Sequence, residues 1–584
     1  MSTARKILAL LTAGERRAAV AILGLMLVGT LLETLSIGAV MPAIALFMQG
    51  NVADKYPRLR PVLDALGHPS QVRLLVWGML FLVGIYLVKA LFLAFLAWRQ
   101  GKFAYGVQAH LSQRIFTTYL RQPYTFHLQR NSAELIRNTI NETGGIAAAL
   151  IEVMSLITEC LVSAGIASLL MVVEPLGAII VVLVLGSTAF GFSRLTRSRI
   201  ARWGRARQYH DGLRIQHLQQ GLGGAKDVKL LGRERDFLSR YETHNKLSAQ
   251  SARLQMTMQQ LPRLWLELLA VSGMATLVLT MLAQSRDMTR IISAMGLFAA
   301  ASYRLMPSVN RVLGAIQSIR YAGPMFNVLN EELRLSAPEP PRRTGSAEGI
   351  EREIRLEGVT YTYPGAHVPA LKNLSINIQK GETVGFVGTS GAGKSTSVDV
   401  ILGLLEPESG KVVVDGRDIR ENMRRWQDQI GYVPQSIYLT DDTLFRNVAF
   451  GLPDELIDEA AVVRAIKAAQ LQDFVAELPQ GLQTVIGERG VRLSGGQRQR
   501  IGIARALYHD PAVLVLDEAT SALDTTTERG VMSAVVALHG AKTVLIVAHR
   551  VSTVEHCDRL YRLQHGSVVA EGPVSSMLPV QRVV

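Results

Sequence analysis

Gly388-Thr389-Ser390-Gly391-Ala392-Gly393-Lys394-Ser395-Thr396 decides the fold of the second half of the chain. It follows an apolar run, Thr383–Val387, and opens a helix-forming stretch, Ser397–Leu405. Strand, glycine-rich turn and helix N-terminus in that order make a phosphate-binding loop. The glycines let backbone N–H groups wrap phosphate oxygens at the positive end of the helix dipole. Lys394 is placed to reach the β- and γ-phosphates of a nucleotide, and the Ser395 hydroxyl to ligate Mg2+.

Downstream, Val513–Leu516 reads as a buried strand ending in Asp517-Glu518. Carboxylates at a strand end beside such a loop suit a magnesium-anchoring Asp517 and a water-polarising Glu518. Between them, Leu493-Ser494-Gly495-Gly496-Gln497 precedes another helix, Arg498–Tyr508. Hydroxyl and helix dipole make this a second anion site. One nucleotide does not need two cradles in one domain. Two copies of the chain resolve this, the Ser494 loop of each capping the nucleotide held by the other. With Val412–Val414 and Val544–Val547 as further strands, the pattern is an α/β domain with a mainly parallel core sheet.

The first half reads differently. The chain of 584 residues is 48% hydrophobic and 19% charged, with mean hydropathy +0.21. That excludes a disordered chain and argues against a wholly soluble enzyme. The two cysteines, Cys160 and Cys557, exclude a disulfide scaffold and a cysteine-built metal site. Net charge is +14, but residues 1–336 hold 36 Lys and Arg against 18 Asp and Glu, and residues 337–584 hold 26 against 30. The basic half is also the apolar half. That combination points to a membrane protein with basic cytoplasmic loops and away from nucleic-acid binding.

A hydrocarbon core about 30 Å thick takes about 20 apolar residues per helix. Six spans fit: 18–48, 72–98, 143–172, 176–200, 261–283 and 289–315. The first follows Arg5, Lys6, Arg16 and Arg17 and far exceeds the apolar core of a cleaved signal peptide, so it reads as an uncleaved helix. Segments 99–137 and 194–253 are basic, the second with 14 Lys and Arg, whereas Glu174-Pro175 and Gln284–Met288 are short. The basic segments are therefore cytoplasmic, both termini lie inside, and the bacterial inner membrane is the expected location. In the external loop 49–71, the spacing of Tyr56, Leu59, Val62, Leu63 and Leu66 leaves an interfacial helix and a structured loop both open. The long cytoplasmic segments are predicted as helical extensions joined by short transverse helices near 122–131 and 221–231. At 1.5 Å per residue, 25 further residues project about 40 Å beyond the bilayer. Such struts must reach something.

A proline-rich linker, Ser336–Gly349, separates the two regimes. The expected organisation is an all-α six-helix transmembrane domain over 1–335, a linker over 336–350 and the α/β nucleotide-binding domain over 351–584.

Taken in order, these motifs resemble the ATP-binding cassette (ABC) transporters over the whole chain. The resemblance implies ATP and Mg2+ as cofactors. It also implies that Tyr363, in Tyr361-Thr-Tyr363-Pro-Gly, stacks on adenine. Gln435, in Val433-Pro-Gln435, is similar to the residue that senses Mg2+ and the γ-phosphate. Glu488, in Gly487-Glu-Arg-Gly490, resembles a loop touching the membrane domain. Ser494, Gly495, Gly496 and Gln497 match the family signature, Asp524 the residue crossing a dimer interface, and His549 the switch histidine at the γ-phosphate. Membrane domain first and fused is the order of exporters. Half of the family's minimal unit implies a symmetric homodimer with twelve spans and two active sites, and no periplasmic binding protein. Gly224-Ala-Lys226-Asp227-Val228-Lys229 resembles the second coupling helix, which in that class docks on the partner's nucleotide domain.

Charged residues inside spans are costly and mark function by default. Glu33, Lys89, Arg263 and Glu267, and Arg304 with Arg311 seven residues on, are such positions, as are Glu152 and Glu159. Structural pairing is the alternative, with Arg263 and Glu267 four residues apart on one helix face, and Glu152 and Glu159 read as mainly structural. Four cations per copy lining one cavity suit a pyrophosphate. Glu33–Pro42 and Tyr303–Arg311 also resemble the lipid-linked oligosaccharide flippases of bacterial protein glycosylation, with Lys89 where that group has Arg. The implied cargo is a polyprenyl-diphosphate glycan moved between leaflets of membrane lipid. The alternative is an exporter of another lipid of lipid A type, a drug or a peptide.

Overall fold

The computed structural model describes residues 3–48, 71–173, 175–284, 288–335, 349–487, 490–491, 493–519, 525–548 and 550–577. Packing divides the chain into two units: Met1–Gln122 with Arg130–Ala337, and Pro123–Gln129 with Pro338–Val584. The expectations for loop 49–71 and the linker fall almost wholly outside the described residues.

The first unit is helical. A short helix α1 (Thr3–Leu10) precedes α2 (Ala13–Met48) and α3 (Gln71–Leu120). The long helices α6 (Thr143–Val173), α7 (Pro175–Gly223), α9 (Glu234–Ala283) and α10 (Met288–Tyr321) follow, and α11 (Gly323–Glu332) closes the unit; the intervening short helices α4, α5 and α8 are placed below. Each of the six expected spans falls within one long helix. Among the described residues, Ala13–Ser36, Val76–Leu120, Ser132–Ser168 and Glu234–Ala283 are long and apolar enough to cross a membrane. The 50 residues of α3 and of α9 run about 75 Å at 1.5 Å per residue, well past the hydrocarbon core. Span and strut are thus one continuous helix.

The transverse helices sit where the breaks in pattern place them. They are α4 (Tyr124–Gln129), entered through Pro123, and α8 (Ala225–Leu230), entered through Gly224. Helix α4 belongs to the second unit. One element had no sequence signal. After α5 (Ser132–Ile136), residues Arg137–Glu142 form a π-helical turn that buries Asn138. Asn138 Nδ2 donates to Tyr119 Oη at 3.2 Å and to Glu332 Oε1 at 3.3 Å, and Arg130 Nη1 donates to the same carboxylate at 2.9 Å. The polar joint ties the ends of α3 and α11 to the segment beside α4.

The second unit holds two sheets. The larger has strand order β10-β9-β3-β8-β7-β6, with β6 (Ile430–Val433), β7 (Val513–Asp517), β8 (Thr543–Val547), β3 (Thr383–Val387) and β9 (Arg559–Gln564) parallel and β10 (Ser567–Pro573) antiparallel at the edge. Every residue of β7 and β8 is buried, as expected of strands covered on both faces. The smaller sheet is antiparallel, β2-β1-β4-β5, built from β1 (Glu353–Tyr361), β2 (Leu371–Gln379), β4 (Ser409–Val414) and β5 (Arg417–Asp418). Sequence patterning pointed to a mainly parallel sheet; this second layer is an addition to it. Val412–Val414, expected as a strand, lies in β4, while β1 and β2 mix buried and exposed positions and lack the apolar runs that mark β7 and β8.

Asp415-Gly416 joins β4 to β5 as a two-residue hairpin with both residues left-handed, φ 50° and 85°. The Asp415 carboxylate accepts backbone N–H groups of Glu351, Arg352 and Glu353 at 2.8, 2.8 and 3.0 Å. Burial alone would raise its pKa, but these donors outweigh burial and hold it below the usual carboxylate value. A depressed folded pKa stabilises above the unfolded value and the gain is lost as pH falls through the folded one. Asp415→Ala is expected to cost about 1–3 kcal/mol of local stability at pH 7, with a deficit that narrows below about pH 4. Amide exchange across β1 in the full chain checks this; unchanged protection at pH 7 would contradict it.

Candidate functional site

Strands β3, β7 and β8 are adjacent and parallel, so their C-terminal ends open on one edge, where open α/β sheets bind ligands. The phosphate loop leaves β3. Its backbone conformation requires glycine: at Gly388 (φ 154°) a Cβ would lie 2.3 Å from the Leu563 carbonyl oxygen, and at Gly393 (φ 102°) 2.9 Å from that of Ala370. The helix that follows, α12 (Lys394–Ile401), starts at the lysine. Lys394 is 5% exposed, and Nζ donates across the loop to the carbonyls of Gly388 and Thr389 at 3.0 and 3.1 Å. Burial lowers its pKa, opposed by the charges of Glu518 and Asp517.

Asp517 ends β7. The Ser395 hydroxyl donates to its Oδ1 at 3.5 Å. Burial raises the Asp517 pKa, with Glu518 adding to the rise, while Ser395, Tyr432 and Lys394 pull it down. Glu518 follows in the left-handed region, φ 49°, a strain of about 1 kcal/mol or more for a non-glycine. Its N–H donates to the Val547 carbonyl at 3.0 Å, which holds the turn. Gln435 Nε2 donates to Glu518 Oε2 at 2.7 Å. Tyr363 places its hydroxyl 3.1 Å from Thr396 Oγ1 and its ring edge-on to Tyr361. The sequence-derived residues Tyr363, Gly388–Thr396, Gln435, Asp517 and Glu518 therefore converge on one edge.

No three His, Cys, Asp or Glu side chains converge on a metal among the described residues. The donors present are one hydroxyl, one carboxylate and an amide, all hard oxygen ligands. They fit a Mg2+ that keeps water and phosphate oxygens in its shell, rather than a metal caged by protein.

Three groups here escaped the sequence reading. Asp399 lies on α12 one turn beyond Ser395. Burial raises its pKa to about 6, and the Asp517 charge adds to the rise. Its spacing from Ser395, i to i+4, was the available signal. Tyr432, on β6, faces the same carboxylates. Tyr124 of α4 joins them: burial raises its pKa, with Asp399 and Tyr363 adding to it. No local pattern links residue 124 to residues 363 and 399.

Ser494 caps α13 (Gly495–Leu507) in a reciprocal box: Gln497 N–H donates to Ser494 Oγ at 3.2 Å and Ser494 N–H to Gln497 Oε1 at 2.8 Å. Among the described residues no hydrogen bond joins 494–497 to 388–396. The two anion-binding helix starts are separate parts of one copy. Glu488, Asp524 and His549 lie outside the described residues.

In the helical unit, three of the four cations proposed for a cargo cavity have carboxylate partners. Lys89 Nζ is 3.3 Å from Glu33 Oε1 and 3.3 Å from Ser36 Oγ. Arg263 Nε donates to Glu267 at 2.8 Å, and Arg311 Nε donates to Glu159. The side chain of Arg304 lies outside the described residues. Pairing, the alternative weighed for these positions, is what the structure shows for Lys89, Arg263 and Arg311, as suits charges inside an apolar helical domain, and Glu159, read as mainly structural, is the partner of Arg311.

Residues 24–303 match the ABC transporter transmembrane region and residues 371–521 the ABC transporter ATP-binding family. The ATP-dependent lipid A-core flippase of Dechloromonas aromatica is 32% identical over 521 residues, covering 86% of each chain. That of Vibrio vulnificus is 30% identical over 555 residues and 93% of each chain. A solved bacterial Atm1-family ABC exporter with ATP bound superposes with TM-score 0.76 over 96% of each chain at 23% identity. With its membrane-spanning helices fused to an intact phosphate loop and Asp517-Glu518 pair, the chain belongs to the ABC transporters and is an ATP-hydrolysing translocase of exporter fold.

Proposed function

We propose that this transporter is a homodimeric flippase that uses ATP to move a phosphate-bearing glycolipid from the cytoplasmic to the outer leaflet of the bacterial inner membrane, with both termini inside. The organisation proposed is a membrane domain over 1–335, a linker over 336–350 and the ATP-binding cassette over 351–584. The observation that carries the lipid reading is the membrane domain itself. Its charges are few, and Lys89, Arg263 and Arg311 are matched by Glu33, Glu267 and Glu159. A wall of such pairs is neutral at rest. It yields a cation when an anionic headgroup displaces the carboxylate, because Arg binds phosphate bidentately in low dielectric. The narrower reading is a polyprenyl-diphosphate glycan, supported by the resemblance of Glu33–Pro42 and Tyr303–Arg311. A lipid A-like cargo is the second reading, favoured by the names of the relatives.

Within each site, Lys394 and the loop amides hold the β- and γ-phosphates, and Tyr363 takes the base. Ser395, Asp517 and Gln435 would hold Mg2+, which neutralises charge on the transferring phosphate. Glu518 orients and polarises the attacking water, and Gln435 fixes its carboxylate. Ser494, Gly495, Gly496 and Gln497 of one copy cap the nucleotide on the other copy, with Asp524 crossing the interface and His549 at the γ-phosphate. Two copies are supported by the separate anion sites and by the tip of the second strut. There Leu222, Leu230 and Leu231 are 72%, 80% and 68% exposed around α8, an apolar surface that a partner's cassette would cover. Driving force comes from the differential affinity of inward- and outward-facing states for ATP.

Glu518→Gln is expected to bind ATP with near wild-type affinity and to lose hydrolysis about 100-fold or more, accumulating a closed dimer. Robust steady-state turnover by that variant would remove the water-activating role. For the cargo, proteoliposomes carrying a polyprenyl-diphosphate glycan, a lipid A-core lipid or a phosphate-free hydrophobic drug are compared. Flipping and ATPase stimulation are expected for a phosphoglycolipid and not for the drug. Arg311→Ala should depress flipping about tenfold more than it depresses ATP hydrolysis, whereas Glu159→Gln, which releases Arg311, should retain flipping. Stimulation by the drug alone, or undiminished flipping in Arg311→Ala, would sink the phosphoglycolipid reading.

A further inference from the structure

Glu528 is a buried carboxylate that none of the motifs includes. It sits in the first turn of α14 (Thr525–Val536), the helix that begins directly after residues 521–524, and is 6% exposed. An acid in a first turn is ordinarily there for the helix dipole, facing water. Glu528 faces inward instead. Its Oε2 accepts from Arg550 Nη1 at 3.0 Å, and its Oε1 accepts from Ser552 Oγ at 3.1 Å and Thr553 Oγ1 at 2.9 Å. All three donors fall within four consecutive residues, and the first of them is the residue after His549 in the chain.

The other side of position 549 is anchored as well. The N–H of Ala548 donates to the Phe386 carbonyl at 3.3 Å, on the strand that feeds the phosphate loop. The described residues on both sides of position 549 are therefore anchored: Ala548 is registered against β3, and Arg550, Ser552 and Thr553 are clamped to α14 through one carboxylate. Burial alone would raise the pKa of Glu528, but its three donors and the Arg550 charge hold it low, so the clamp is charged at neutral pH. Charge-assisted hydrogen bonds of this kind are about twice as strong as neutral ones.

We propose that Glu528 is a positioning residue for ATP hydrolysis: by holding Arg550, Ser552 and Thr553 against α14, it fixes the segment that immediately follows His549 in the chain. The inference rests on the assignment of His549 to the γ-phosphate.

The test uses the full chain in lipid nanodiscs. Glu528→Ala should lower kcat for ATP about tenfold or more while KM changes less than about threefold. Glu528→Asp, which keeps the charge on a shorter stem, should recover part of the loss. Thr553→Val and Arg550→Ala should each lower kcat by a smaller factor and add little on top of Glu528→Ala, the non-additivity of shared partners. Wild-type kcat in Glu528→Ala, or a raised KM with kcat kept, overturns the proposal. Should Glu528→Ala not fold, Thr553→Val and Arg550→Ala carry the test, and wild-type kcat in both overturns it. His549→Ala run in parallel separates the two layers. Full turnover there removes the assignment of His549. Lost turnover there beside an unaffected Glu528→Ala removes only the positioning role.

Discussion

The catalytic edge depends on the pairing of β3, β7 and β8. These are short parallel strands buried on both faces, and their register is fixed by apolar packing above and below. Val384 opposes Leu545, and Leu514 opposes Val544. That pairing sets the phosphate loop, the Asp517-Glu518 pair and Ala548 side by side. A slip of one residue in β7 would send the Asp517 carboxylate to the opposite face of the sheet. The polar chemistry is concentrated where the strands end, since a carboxylate within the strands would have no partner to offset its desolvation. Even at the edge the cost is visible in the raised pKa values of Asp517 and Asp399 and the lowered value of Lys394. Nucleotide phosphates, and a divalent ion held by Ser395 and Asp517, are what such a set of half-compensated charges is built to receive.

The membrane domain solves the opposite problem. There a lone charge is expensive, and Lys89, Arg263 and Arg311 are carried in pairs. Glu33 with Lys89, Arg263 with Glu267 and Glu159 with Arg311 each join residues the sequence marks as anomalous. They differ in reach. Arg263 and Glu267 are one turn apart on α9 and would meet in any helix. Lys89 and Glu33 join α3 to α2, and Arg311 and Glu159 join α10 to α6. Only the latter two couple helices. A ligand that opens such a pair changes what holds two helices together, whereas one that opens an i, i+4 pair does not.

How far the sequence could be read follows the range of each interaction. The phosphate loop, β3, β7, β8 and the six long helices are written in local patterns: apolar runs, glycine spacing, helix starts. The positions of α4 and α8 follow from Pro123 and Gly224. The pairing of Lys89 with Glu33 needed knowledge of which helices adjoin, and periodicity does not carry that. It is why cations that look free along the chain are matched in space. The π-helical turn at Arg137–Glu142 has no compositional marker. Its cause is tertiary, the burial of Asn138 between Tyr119 and Glu332. The antiparallel strands β1 and β2 were missed because an exposed face dilutes their apolar content, whereas the apolar run Val412–Val414 marked β4.

Tyr124 shows where these two kinds of information meet. It lies on a helix of six residues with no buried side chain of its own. A segment that short has no stability in isolation. It nevertheless forms α4, grouped with the cassette and close enough to Asp399 and Tyr363 to feel their charges. Its helical form is therefore set by its surroundings and not by its own propensity. Asp399, Tyr363 and Tyr432 lie at the nucleotide edge, so a change of charge there, such as the arrival of phosphate, acts on the same side chains whose electrostatics involve Tyr124. The nucleotide edge and α4 thus share residues.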